Sequence, residues 1–595
     1  MADAGLTDAE QSALTLEDWR QIAERSQKVM RDFLARQGEG PSPFEDAMRM
    51  GSTFAQAMAH LMADPARLME AQASLWKSYL ELWQATALRL SGQEARAIVE
   101  PARDDRRFRD AAWSENAVFD YLKQSYLLSA NWLKDLMGAV EGLDDRTKRK
   151  VDFYTRLYVD ALSPTNFAAT NPEVLRATAE TKGENLVKGL QNLIADFERG
   201  KGKLAIKMVD ESAFKVGGNL AVTPGKVVFQ NDLMQLIQYA PTTEKVHRRP
   251  LLVVPPWINK YYILDLKPEN SFIRWVVDQG YTVFAVSWVN PDAELAKKTF
   301  DDYLLEGPIA ALDAIERATG EKRVNALGYC IGGTLLAATL AWMAARKDNR
   351  IAAASFLATL VDFEEVGDIE VFVDEEQVEN LEQLMTKRGY LEGAEMAATF
   401  NTLRANDLVW SFVINNYLLG KEPFPFDILY WNSDSTRMPA VMHSFYLRRM
   451  YLENALSRPG GMKLSGEALD LGRIKVPAYI LSTREDHIAP WATTYAATQL
   501  YRGDTRFVLA GSGHIAGVVN PPTQQKYGYW TNDRLPPDPK DWLDGATEHA
   551  GSWWPDWAAW NAAKSGPKVP ARQPGGGKLT PIEDAPGSYA RLRAV

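Results

Sequence analysis

Up to about residue 205, apolar side chains recur at helical spacing. Leu75, Tyr79, Leu82, Trp83 and Leu90 read as one helical face, and Tyr121, Leu122, Tyr126, Trp132, Leu133 and Leu136 as another. Residues 1–205 are therefore predicted to be an all-helical N-terminal domain, with the Asp- and Arg-rich stretch 103–109 as an exposed connection. No catalytic motif lies in it, and its aromatic faces suit packing on a neighbour, a partner or an apolar surface. Near Lys203 the period changes. Residues 226–229 and 233–237 flank Gln230-Asn231-Asp232 as a hairpin. Short apolar runs follow at 251–254, 281–287, 324–327, 353–360, 477–482 and 506–509, separated by helical stretches. That rhythm indicates a parallel sheet covered by helices on both faces.

The rhythm lapses between Leu360 and Lys475. This stretch begins acidic and turns aromatic, and an insertion of such length in a sheet domain reads as a cap over an active site. The predicted organisation is a catalytic domain over 206–565, interrupted by a cap at about 361–472, and a flexible Gly/Pro-rich tail over 566–595. Trp553, Trp554, Trp557 and Trp560 are expected to anchor a last helix to the core.

Composition removes several classes of function. The 595 residues carry a net charge of −10, which speaks against tracking nucleic-acid phosphates. The single cysteine leaves no intrachain disulfide and no multi-cysteine metal site, and suits a reducing cytoplasm. The acidic first nineteen residues lack the basic-then-apolar pattern of a signal sequence. The uncharged stretch 328–345 is long enough to suggest a membrane span, but its three opening glycines favour a buried helix after a tight turn.

The cysteine, Cys330, lies in Gly328-Tyr329-Cys330-Ile331-Gly332-Gly333. This is G-x-C-x-G between a strand and a long apolar helix, the setting of a nucleophile elbow with sulfur in place of oxygen. A helix N-terminus beneath the thiol favours its thiolate. The base expected after the last parallel strand is His514, with His487 as a rival. The acid expected after the preceding strand is Asp486, with Glu485 as a rival. The order nucleophile, acid, base is that of an α/β-hydrolase fold. An oxyanion hole would take one backbone N–H from Ile331 and a second from Trp257 or Ile258, in the loop after the 251–254 strand.

These residues carry a family resemblance. Residues 255–266 (PPWINKYYILDL), 328–333 (GYCIGG), 484–491 (REDHIAPW) and 513–522 (GHIAGVVNPP) resemble signatures of the polyhydroxyalkanoate synthases. Residues 530–532 and 551–557 (GSWWPDW) extend the likeness. The match runs from about residue 100 to the tryptophan-rich segment, and the length is similar to class I, poly(3-hydroxybutyrate)-type synthases. The resemblance implies an acyltransferase that polymerises (3R)-3-hydroxyacyl-CoA with release of CoA. Cys330 would be the nucleophile and His514 its base, while Asp486 would orient His514 or help activate the substrate hydroxyl. It also implies a homodimer at the surface of cytoplasmic polyester granules, in contact with the growing polyester chain and granule proteins of the phasin type. No metal or resident cofactor is implied, CoA entering with the substrate; no nucleic acid and no transmembrane segment are expected. Two other classes share the pattern: a thioesterase or polyester depolymerase of the same fold, and a non-catalytic granule-coat protein.

Overall fold

The computed structural model describes residues 20–21, 24–29, 31, 43–103 and 105–593. The first nineteen residues, on which the expectation of no signal sequence rests, lie outside them. The chain divides into two compact units, Met1–Asp210 with Arg404–Phe424, and Glu211–Leu403 with Pro425–Val595.

The first unit contains helices α1 (Pro43–Met62), α2 (Pro65–Leu90), α3 (Ala117–Gly138), α4 (Asp145–Ala161) and α5 (Glu184–Arg199). Three of them start where the sequence supplies a side-chain acceptor for free amides. Asp64 caps α2, Asn116 caps α3 and Asp144 caps α4. Ala57, Met137 and Val151 form one small core, and Phe108, Trp113 and Leu127 another. Buried Asp120 is held by Arg89, Lys123 and Gln124, so its charge is compensated.

On α2 the predicted single face separates into two. Leu82 is buried and Leu75 and Tyr79 are half-buried, but Trp83 and Leu90 are 69% and 68% exposed. They align with Met69 and Trp76 at intervals of seven residues along α2, and Leu80 is also exposed. This outward stripe has the 3.5-residue period of a coiled-coil seam, which a 3.6-residue reading merges with the core face.

The inserted segment differs from the expectation of one cap at about 361–472. Residues 404–424 belong to the N-terminal unit. A Cβ on Gly189 of α5 would lie 1.8 Å from the Tyr417 carbonyl oxygen, and Asn185 donates to the Leu418 carbonyl at 2.8 Å. Tyr417 Oη donates to buried Asp196 at 2.6 Å.

The second unit is built on an eleven-stranded sheet. Its strands are β1 (Gly225–Gln230), β2 (Met234–Tyr239), β3 (Leu251–Val254), β4 (Val283–Trp288), β5 (Val324–Tyr329), β6 (Ile351–Leu357), β7 (Ala478–Thr483), β8 (Thr505–Ala510), β9 (Gly528–Thr531), β10 (Thr547–Ala550) and β11 (Glu583–Asp584). Their order is β10-β9-β8-β7-β6-β5-β3-β4-β2-β1-β11. Strands β3 to β8 are mutually parallel, and antiparallel strands extend both edges. The buried runs of β3 to β7 are what strands covered on both faces require. Helix α6 (Ile331–Ala345) follows β5 and is apolar around its circumference because it, too, is enclosed. The uncharged stretch 328–345 is thus a strand end, a turn and a buried helix. Among the described residues no helix is long and apolar enough to cross a membrane.

Further along lie helices α7 (Asp427–Ser433), α8 (Ala440–Tyr446), α9 (Trp554–Ala562) and α10 (Gly587–Arg591). Trp553, Trp554 and Trp557 are buried at the start of α9, and their indoles donate to Gly517 O, Val518 O and Ser355 Oγ. Trp560 is half-buried against Tyr479.

Residues 566–593 correct the expectation of a flexible tail over 566–595. Lys568–Pro570 pairs with Lys245–His247, β11 pairs with β1, and Leu579 and Ala590 are buried. Gly577 packs so closely that a Cβ would lie 2.0 Å from the Ala318 carbonyl oxygen. Glycine and proline here shape the turns of a strap whose backbone groups find partners on the sheet, so the composition marks close approach and not chain entropy.

Candidate active site

The parallel strands end on one edge, and three of the loops leaving that edge bring Cys330, Asp486 and His514 together. Cys330 joins β5 to α6 with φ +53° and ψ −129°, a conformation that costs a non-glycine residue about 1–3 kcal/mol. Hydrogen bonds hold it there. Cys330 N donates to Leu357 O at 2.9 Å, and Gly333 N and Thr334 N donate to Cys330 O at 2.8 and 3.1 Å. The neighbouring glycines are steric necessities. A Cβ on Gly328 would sit 2.4 Å from Gly333 Cα, and one on Gly332 would sit 2.3 Å from Val254 O. Cys330 as a whole is half-buried.

His514 follows β8 in a small-residue loop and is buried. Its Nδ1 lies 2.7 Å from Asp486 Oδ2. Burial opposes a charged imidazole, but the Asp486 carboxylate and then the Cys330 sulfur outweigh it, so His514 titrates well above the ordinary histidine value. Burial likewise opposes the Asp486 charge. The charge and hydrogen bond of His514, with the amides of Ala489 and Ile488, reverse that and hold the carboxyl below the usual aspartate range. Both amides donate to Oδ1 at 2.9 Å, and Thr483 Oγ1 donates to Oδ2 at 2.8 Å. The carboxylate is therefore oriented as well as charged.

The rivals stand elsewhere. Glu485 is exposed, and His487 is half-buried while Asp486 binds His514. The Ile331 amide sits in the first turn of α6, where N–H groups have no intrahelical acceptor. Trp257 and Ile258 stand in the loop after β3, which begins where Gly332 abuts Val254 and Pro255. Trp257 is buried against Trp288, Phe300 and Tyr303.

Two residues beside the thiol lay outside the sequence expectation. Tyr446 and Tyr451, from the inserted segment, meet edge-to-face at 5.4 Å, Tyr446 buried and Tyr451 half-buried. Burial, with the neighbouring Cys330 as a smaller contribution, pushes both phenols above their ordinary value. Phe363 packs on both rings. The sequence shows these tyrosines only as part of an aromatic run, and no local motif connects them with residue 330.

A strained strand-to-helix cysteine, a buried histidine and an oriented carboxylate on successive strand ends define an enzyme of the α/β-hydrolase fold. A model of the α/β-hydrolase fold matches residues 257–521, and a model described as the N-terminus of poly-beta-hydroxybutyrate polymerase matches residues 104–276. The poly(3-hydroxyalkanoate) polymerase subunit PhaC of Rhizobium meliloti is 50% identical over 94% of this chain and 91% of its own. The poly(3-hydroxyalkanoate) polymerase of Methylorubrum extorquens is 50% identical over 93% of this chain and 91% of its own. The corresponding subunit of Cupriavidus necator is 46% identical over 94% of each chain. The chain belongs to the poly(3-hydroxyalkanoate) polymerase family and is an acyltransferase.

Proposed function

We propose that this protein polymerises (3R)-3-hydroxyacyl-CoA, with short acyl groups such as 3-hydroxybutyryl, through a thioester on Cys330. The observation that carries the reading is the Asp486–His514 pair, 2.7 Å apart, at the same edge of strand ends as the strained Cys330. His514 takes the thiol proton as sulfur attacks the acyl carbonyl carbon. The tetrahedral oxyanion is met by the Ile331 amide and by one from Trp257 or Ile258. Collapse breaks the bond to the CoA sulfur, which leaves with the proton held by His514. In the second half, His514 takes the proton of a 3-hydroxyl group. The alkoxide attacks the Cys330 thioester, an ester bond forms, and the thiol regains its proton. A thioester intermediate keeps the acyl group activated for transfer to an alcohol. The engaged lone pairs of Asp486 support its role as the group that orients His514 and stabilises its charge. The hood of Tyr446, Tyr451 and Phe363 supports exclusion of water from the thioester. No resident cofactor or metal enters this cycle.

The test is the purified protein with (R)-3-hydroxybutyryl-CoA, following free CoA and insoluble polyester together. The expected result is CoA release accompanied by polymer. Release of CoA with only free 3-hydroxybutyrate would instead identify a thioesterase.

A further inference from the structure

The loop that carries Trp257 and Ile258 is fastened from two sides at a buried ion pair. Lys260 Nζ lies 3.1 Å from Asp434 Oδ1, with side-chain exposures of 2% and 1%. Tyr262 Oη donates to the other Asp434 oxygen at 2.8 Å. Asp434 belongs to the inserted segment, immediately after α7. From there Thr436 N donates to Ile258 O at 3.0 Å, and Thr436 Oγ1 donates to Trp257 O. Trp431 Nε1 donates to Lys260 O at 2.6 Å. The carbonyls of both candidate residues are thus held by a single threonine of the cap. The second fastening comes from the strap. Lys260 Nζ donates to Ala590 O at 3.0 Å and to Leu592 O at 2.5 Å.

We propose that Lys260 and Asp434 are positioning residues for the oxyanion hole. They lock the loop of Trp257 and Ile258 to the cap and to the strap over 590–592, so the second amide donor is aligned only when that strap is docked. The inference rests on the acyl-transfer reading above. Both side chains are buried and act through the loop they hold. An ammonium buried with one carboxylate needs its remaining protons satisfied, and backbone carbonyls 330 and 332 residues away supply them. Removing those carbonyls leaves a buried cation short of acceptors next to the loop that must hold still. Amide donors act on a developing oxyanion only when they are pre-aligned.

Two reactions of the same cysteine separate alignment from general damage. Acylation by (R)-3-hydroxybutyryl-CoA builds an oxyanion. Alkylation by iodoacetamide forms a sulfur–carbon bond with loss of iodide and builds none. Chain truncation after Tyr589 removes the two acceptors. The double variant Lys260→Met/Asp434→Asn removes the pair and leaves Arg593, which lies 3.7 Å from Asp434 Oδ1, with its other partner Glu211 at 2.9 Å. In both, the burst of CoA release should slow by about 10²-fold, the size of losing one oxyanion donor. Alkylation of Cys330 and the KM for the CoA substrate should stay at wild-type values. Loss of alkylation in step with acylation would overturn the proposal, reducing the pair to scaffolding, and so would unchanged acylation in both variants. Failure of the underlying reading has a separate mark: wild-type protein alkylated at its single cysteine would still release CoA.

Discussion

Tyr329, the residue before the candidate nucleophile, holds the candidate base in two ways. Its ring lies on the imidazole of His514, with centroids 5.5 Å apart and planes 25° from parallel. Its hydroxyl donates to the His514 carbonyl oxygen at 3.0 Å. The end of β5 therefore fixes the loop after β8, and sulfur and imidazole are registered through one side chain. Tyr329→Phe keeps the stacked ring and strands a buried carbonyl, at a cost of about 1–3 kcal/mol. Its burst of CoA release should fall several-fold, and Tyr329→Ala should fall further; stopped-flow thiol detection measures both.

Cys330→Ala should lose CoA release by about 10⁴-fold or more, since no other thiol exists in the chain. Wild-type-like polymer formation by this variant would end the thioester mechanism.

Asp486→Asn should slow acylation by about 10⁴-fold, because the amide no longer holds the tautomer and charge of His514. The His514 value, raised above normal by Asp486, should fall toward the ordinary one, shifting the pH dependence of iodoacetamide alkylation. The stability effect has a defined sign. Asp486 titrates below its unfolded value, so its contribution is present above the usual carboxylate range and disappears as pH falls through the folded value. The difference in Tm between wild type and Asp486→Asn should therefore be largest near neutrality and shrink in acid, as calorimetry at several pH values would show.

Gly332→Ala should lower both stability and acylation. The new methyl group would lie 2.3 Å from Val254 O and 2.5 Å from Pro255 O, backbone atoms at the root of the candidate oxyanion loop. Forcing it in costs about 1–3 kcal/mol or more. At Gly138 an added Cβ meets nothing within 4 Å, and Gly138→Ala should leave both properties unchanged or gain slightly in Tm. Thermal unfolding and burst kinetics on the pair separate the close contact from glycine replacement as such.

Trp557→Ala should cost about 3–5 kcal/mol of stability, since a fully buried indole and its hydrogen bond to Ser355 are removed from beneath the sheet. Denaturant unfolding checks the size. CoA release per folded molecule should remain at the wild-type level, because the residue touches none of the three candidate catalytic groups.

The legibility of this molecule in its sequence follows from the range of the forces involved. Cys330 stands out because its elbow is built by adjacent glycines and a strand–helix boundary, all local. Asp486 and His514 follow from strand order, and the register of β7 and β8 brings them together. Glu485 and Asp486 differ only by which way one residue points at a strand end, which alternation hides once the strand stops. Tyr446, Tyr451, Lys260 and Asp434 have no such local signal, because their roles arise between segments more than a hundred residues apart. Three expectations fail: one rests on composition, one on period, and one on taking 361–472 as a single cap although 404–424 belong to the other unit. Glycine and proline over 566–595 suggested mobility where they make turns, and Trp83 and Leu90 were merged with a core face because two nearly equal periods overlap on α2.

The strap also gives the molecule a temporal order. Lys260 and the carbonyl of Ala590 are 330 residues apart, so a chain growing from its N-terminus presents the ammonium long before its acceptors exist. The parallel strands, the elbow and both partner loops of Cys330 all precede the strap in the chain. On the positioning role proposed for Lys260, alignment of the second amide donor waits for the last part of the chain to arrive.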